Sequence, residues 1–184
     1  MKTIKSSAIF LFALFITLSC HAQSKSQEVV KIRKAYYSIK ADIDELKKSG
    51  SQHLYCISVD DNAYKTQPAG ERYFSRVTEF YYTLNAETYQ EELKMVIEKE
   101  QDGIFETYRE TLFMDGVMTF VFEKENETEH RLYRNKEKVH SYLLGTEEQT
   151  LGSSGDDYPA KVVLLLGNEH NLYGFFNILV RRSN

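Results

Sequence analysis

The stretch from 104 to 143 constrains the fold more than any other part of the chain. It reads IFETYRETLFMDGVMTFVFEKENETEHRLYRNKEKVHSYL. Four runs of Tyr, Phe, Val, Ile, Leu and Thr are cut by polar turns at Met114-Asp115-Gly116, Glu125-Asn126-Glu127 and Lys136-Glu137. Aromatic and β-branched residues suit a pleated, half-buried surface. Asp-Gly between two such runs is a strong hairpin signal, because Gly accepts the positive φ of a tight primed turn. The pattern predicts a meandering antiparallel sheet, which is a scaffold and not the signature of a chemistry. If Asp115-Gly116 forms a two-residue turn, straight pairing sets Phe113 opposite Met118 and Thr111 opposite Phe120. Phe105, Phe113, Met118, Phe120 and Phe122 then share one face, and Tyr108, Leu112, Met114, Val117 and Val121 the other. Both faces are partly apolar, so both are expected to be covered in part. Around Lys136-Glu137 the same rule pairs Tyr133 with His140 and Arg131 with Tyr142.

Ahead of this meander, residues 26–48 carry Val29, Ile32, Tyr36, Ile39, Ile43 and Leu46 at spacings of three and four. That is one apolar stripe on a helix. Ser24 and Gln27 have capping-box spacing, Lys47 and Lys48 suit the negative end of the dipole, and Gly50 supplies a stop. One stripe needs one partner surface, and the sheet provides it. His53–Val59 and Tyr73–Leu84 read as strands, joined by a polar loop over 60–70. Asn85-Ala86-Glu87 reads as a turn. Leu93–Glu100 fits helix or strand; strand is favoured because Gln101-Asp102-Gly103 then closes a hairpin. A second loop spans 145–158 and contains Gly152-Ser153-Ser154-Gly155. Asp156, Asp157 and Pro159 resemble a helix start. The tail 159–181 is predicted helical, with Leu172, Phe175, Phe176 and Leu179 at helical spacing and a break near Gly167, since an interior Gly costs a helix about 1 kcal/mol.

The first 22 residues are of another kind. Lys2 and Lys5 precede an unbroken apolar run, Ala8 to Leu18. As a helix it would reach about 16 Å, short of the ~30 Å hydrocarbon core, so it reads as a secretory signal peptide over 1–22 and not as a membrane anchor. Two processing sites compete. Cleavage after Ala22 would leave Gln23 first in a free periplasmic or secreted domain. Leu18-Ser19-Cys20 has instead the form of a lipobox, in which lipidation at Cys20 would make a membrane-anchored lipoprotein. Residues 23–184 are then one domain, and their 42% apolar and 27% charged content for the whole chain is that of a globular protein. Losing two lysines and no acid makes a net charge of −4 more negative still, which disfavours nucleic acid as a partner. Cys56 is the one cysteine beyond the signal, so no internal disulfide is expected, and LYCISV reads as its burial in a strand.

Glu110 to Leu143 combines Phe-x-x-Gly and Phe-Glu-Lys-Glu-Asn with Arg-x-Tyr-x-Asn-Lys. With the leader ending in Ala22-Gln23, this resembles small, uncharacterised exported proteins and lipoproteins of Bacteroidota-type bacteria, in which a signal peptide, one helix and a Tyr/Phe-rich meander recur. The resemblance spans 1–48 and 104–143. It implies export and an α+β build, and it carries over no catalytic residue.

No constellation in the sequence identifies a chemistry. Asp60, Asn62 and Glu71 fall at three positions of a calcium loop, but Lys65 stands where the loop requires Gly. His53, His130, His140 and His170 lack metal-ligand spacing. Gly-x-Ser-x-Gly is absent, and phosphate-cradling glycines are absent too. Glu106 and Glu110 share a parity with Tyr108 and read as a solvated strand edge. No catalytic residue, cofactor-binding residue or metal ligand is therefore named, and no cofactor is expected. The expectation is a single α+β domain, an N-terminal helix packed on an antiparallel sheet of six to eight strands with helical cover at the C-terminus. Its expected role is a non-enzymatic envelope module that binds a protein or small-molecule ligand through one sheet face or the loops 60–70 and 145–158. A small periplasmic hydrolase with a site assembled from scattered residues is the alternative.

Overall fold

The computed structural model describes residues 5–51, 53–62, 73–151 and 157–182, with side chains described from Gln27 to Arg181. The expected export signal, with Cys20, Ala22 and Gln23, lies outside the described side chains, as do most of the loop 60–70 and Gly152-Ser153-Ser154-Gly155.

Ten elements follow one another: α1 (Lys5–Ser49), β1 (Tyr55–Asp61), β2 (Phe74–Leu84), β3 (Glu91–Asp102), β4 (Phe105–Met114), β5 (Val117–Glu125), β6 (Thr128–Arg134), β7 (Val139–Leu144), β8 (Glu147–Glu148) and α2 (Ala160–Arg182). The eight strands form one open antiparallel sheet in sequence order, β1 to β8. Each helix covers one face, so the α+β domain has three layers. Under α1, Ile32, Ile39 and Ile43 pack on Tyr81, Met95, Ile97, Leu112, Phe120 and Tyr133. Under α2, Val162, Leu165, Leu172, Phe176 and Val180 pack on Phe80, Val96, Phe113, Met118 and Val121. Burying each such side chain contributes on the order of 1.5–3 kcal/mol.

The stripe read in 26–48 is the buried face of α1, and Gly50 (φ +80°) ends the helix with its N–H bonded to the Leu46 carbonyl at 3.0 Å. The helix runs through Ser24, so Ser24 and Gln27 cap no N-terminus here. β3 is a strand, as favoured. Asp115 and Gly116 both have positive φ (52° and 73°), the primed turn that the sequence demanded. α2 is unbroken: it passes through Gly167 and Gly174, because the apolar inner face on either side holds it to the sheet. Glu147 and Glu148 form an eighth strand within the expected loop 145–158. Cys56 is exposed, not buried, since β1 is the sheet edge and Cys56 lies on its uncovered flank.

Three bulges set which residues face which helix. The hairpins β2–β3, β4–β5 and β6–β7 all close at one end of the sheet. Each carries one extra residue on its returning strand: Lys94, Thr119 and His140. A bulge shifts the pairing by one and so exchanges the faces of everything beyond it. Phe113 does pair with Met118, but Phe120 pairs with Leu112 and not with Thr111. Phe120 and Phe122 therefore lie under α1, while Val121 lies under α2. His140 is likewise a buried bulge residue, and Tyr133 pairs with Ser141 and Leu132 with Tyr142.

Candidate functional site

The Thr119 bulge also decides which polar side chains meet. In the shifted register Tyr108 pairs with Lys124 and Arg109 with Glu123. Lys99 already pairs with Tyr108 across β3 and β4. Two arrangements follow, one on each face of the sheet.

On the α1 face, Lys99, Tyr108 and Lys124 make a cross-strand row. Two strand spacings separate the lysine Cα atoms, about 10 Å at ~4.8 Å per strand. The row crosses a groove of about 580 Å³ beyond the reach of α1, at the end where β3–β4 and β5–β6 turn. Both lysines are exposed, and among the described residues neither has an ion-pair partner. Gln101 and Asn126 add amides to the lining, and Glu106 and Glu127 bring acids. Tyr108 is held in place from behind: its hydroxyl donates to Glu110 and its ring packs edge-on against Phe122, centroids 6.3 Å apart.

Glu110 is not the solvated strand edge that its parity with Glu106 suggested. It lies on a central strand and is 2% exposed, while Glu106 is exposed. Its carboxylate accepts from the Tyr36 and Tyr108 hydroxyls and from Lys40 Nζ, the last at 2.5 Å. Burial, and then the bond to Glu110, raise the ionisation of both tyrosines far above the phenol's usual range. The tyrosines therefore stay neutral donors, and the cluster fastens α1 to β4.

On the α2 face, Glu123 is fully buried. It accepts from Arg109 Nε at 2.7 Å and from Arg109 Nη2, and it pairs with Lys161 at the first turn of α2. Arg109 also reaches Glu98 at 3.2 Å, and Lys161 reaches Glu125 at 2.9 Å. Burial would raise the Glu123 carboxyl, but Arg109 and Lys161 outweigh it and hold the group below the usual carboxylate range. His130 pairs with Glu123 across β5 and β6, and its Nδ1 lies 2.8 Å from the Tyr142 hydroxyl. Burial, and then Lys161, push the imidazole below its ordinary value, so it stays neutral.

Ligand atoms of Glu123, Glu125 and His130 lie within 4.8 Å of one another. The donor set is one a divalent metal accepts, but Lys161 already bridges the two carboxylates and Arg109 covers Glu123. The cleft beside them, about 150 Å³, is lined by this closed set of ion pairs. The arrangement ties α2 to β4 and β5 electrostatically; protein cations occupy the place a metal would take. A scan for His pairs four apart along the chain does not reveal such a group, because it forms between strands.

Against this geometry, comparison of the chain with family models, with curated proteins and with solved structures gives no match.

Proposed function

We propose that the chain is an exported cell-envelope protein, non-enzymatic, that binds a small polar anion on the uncovered part of its α1-side sheet face. The ligand class is a carboxylate or phosphate that also carries hydrogen-bonding groups. The observation that carries this reading is the Lys99–Tyr108–Lys124 row in the groove: two lysines on strands about 10 Å apart, with no ion-pair partner among the described residues, flank an aromatic ring that is fixed from behind. Gln101 and Asn126 supply neutral donors and acceptors for the rest of such a ligand. Glu106 and Glu127 in the lining oppose a long polyanion, in keeping with the negative charge of the whole chain. The export half of the proposal rests on the basic head and apolar run of 1–22. N-terminal mapping of the native protein tests it: a chain beginning at Gln23 or at acylated Cys20 supports export, and one beginning at Met1 refutes it.

The hydrolase reading would have to draw on Glu123, Glu125 and His130. There the carboxylates are already neutralised by Arg109 and Lys161, which favours binding over catalysis.

Thermal unfolding with a panel of anions (inorganic phosphate, citrate, a sugar phosphate, a short acidic peptide) tests the binding half. At a hundredfold excess over Kd a ligand adds about 2.7 kcal/mol, which raises Tm by roughly 5–10 °C for a chain of this size. The shift is expected to saturate and to vanish in Lys99→Gln/Lys124→Gln. A panel without any shift, or a shift that the double variant keeps, refutes the assignment.

A further inference from the structure

A second recess, of about 190 Å³, opens between α1 and the strands β5 and β6. It lies on the same sheet face as the groove of Lys99, Tyr108 and Lys124 but shares no lining residue with it. Two arginines and five aromatic rings line it, and no carboxylate does. The Thr119 bulge turns Phe120 and Phe122 toward α1. One turn of α1 sets Arg33, Tyr36 and Tyr37 on the same recess, at the i, i+3, i+4 spacing that shares a helix face. Tyr36 meets Phe120 edge-on at 4.9 Å and Tyr37 edge-on at 5.2 Å, and Phe120 meets Tyr133 at 4.8 Å. The two arginines differ. Arg131 is spent: its Nη1 donates to the Gly145 carbonyl at 2.8 Å and its Nη2 to Glu129 at 2.6 Å, with the guanidinium 5.1 Å over the Phe122 ring. Arg33 is not. Its Nε donates to the Tyr133 hydroxyl at 3.2 Å and its guanidinium lies 5.3 Å over that ring, yet among the described residues no acid pairs with it and neither Nη has a hydrogen-bond partner.

We propose that this recess is a binding site for a planar aromatic carboxylate: one ring between the aromatic walls, its carboxylate on Arg33. The sign of the charge follows from Arg33, the one lining cation without an acid among the described residues. A guanidinium presents its N–H groups as a planar fork that matches the two oxygens of a carboxylate, and the Tyr133 contacts hold that fork in place. The ring follows from the walls. An aromatic guest gains offset or edge-to-face contacts with Tyr36, Tyr37 and Phe122, at centroid spacings of about 4.5–7 Å, and a small aliphatic anion gains none of them. Size follows from the volume. The recess is smaller than the ~300–1,000 Å³ of sites for drug-sized ligands, so it suits a single ring and not a nucleotide or a disaccharide.

Fluorine NMR of 4-fluorobenzoate titrated against the full chain tests the proposal. A ligand this small is expected to bind with a Kd on the order of 1 mM, so the series extends to about 10 mM at constant ionic strength. The shift of the fluorine line should saturate. Arg33→Gln should weaken binding more than about tenfold, and 4-fluorobenzyl alcohol, which keeps the ring and lacks the charge, should bind the wild type as weakly. Tyr37→Ala removes a wall that is 68% exposed, so it should weaken binding about threefold or more with Tm unchanged, which separates lost contact from lost fold. Lys99→Gln/Lys124→Gln should leave the titration within about twofold of wild type, so the recess and the groove are read independently. A line that does not saturate overturns the proposal. So does binding that survives both Arg33→Gln and Tyr37→Ala, or an alcohol that binds as tightly as the carboxylate. Binding lost in Lys99→Gln/Lys124→Gln and kept in Arg33→Gln also overturns it and assigns the aromatic anion to the groove.

Discussion

Replacing Glu123 by Gln removes one charge from the most buried ion cluster among the described residues. The wild-type carboxylate is 0% exposed and is shared by Arg109 and Lys161. In Glu123→Gln both cations remain. Arg109 keeps Glu98 at 3.2 Å and Lys161 keeps Glu125 at 2.9 Å, so neither is stranded completely. Breaking a buried pair by removing one partner costs about 3–5 kcal/mol, and these second partners put the expected loss at the lower end, about 3 kcal/mol. With a urea m-value of about 2 kcal/mol/M, the unfolding midpoint should fall by roughly 1.5 M. Glu125→Gln is the internal control: Glu125 is exposed, and its loss should cost less than about 1 kcal/mol. Urea titration followed by far-UV circular dichroism reads both variants. Equal costs for the two substitutions, or a Glu123→Gln loss within about 1 kcal/mol of zero, would refute the reasoning that the burial of Glu123 sets its weight.

Stability should also fall with acid in two stages. His130 is held below its ordinary 6.5 when folded, so its contribution is complete above that value and is lost as pH falls through the lower folded one. Glu123 is held below 4.5 and adds a second loss at lower pH; urea midpoints measured from pH 8 to 3 should show both, the first stage absent in His130→Gln. Gly116→Ala should cost about 1 kcal/mol in the same assay, because the residue holds φ +73°. The new Cβ would lie 3.8 Å from the Tyr173 hydroxyl, ordinary contact, so the backbone and not crowding accounts for the loss. Phe176→Ala should cost about 3–5 kcal/mol, since the ring is fully buried against Phe80 and Tyr82.

The architecture was legible where the signal is local. Asp115-Gly116 announced its hairpin, the isoleucine stripe announced the buried face of α1, and Gly103 favoured a strand over a helix for β3. What was not legible depends on single extra residues inside hairpins. Nothing in the composition of Thr119 marks it as a bulge, yet it moves Phe120 and Val121 to opposite faces and brings Lys124 beside Tyr108 and Glu123 beside Arg109. The same holds for His140, which straight pairing set opposite Tyr133 and which is instead the buried extra residue of the bulge. The candidate site is built across strands in that shifted register, so spacing along the chain could not reveal it. Glu110 was missed for a related reason: parity placed it with the exposed Glu106, while its burial comes from Tyr36 and Lys40 on a helix some seventy residues away. The unbroken course of α2 through Gly167 shows tertiary packing overriding an interior glycine cost of about 1 kcal/mol.

The most direct test of the groove assignment is amide chemical-shift mapping during titration with an anion that raises Tm. The account predicts that the perturbed amides cluster at Lys99, Gln101, Tyr108, Lys124 and Asn126, and that Lys99→Gln/Lys124→Gln abolishes the response. Shifts confined instead to the cleft of Arg109, Glu123 and Lys161 would contradict it and move the binding site to the α2 face of the sheet.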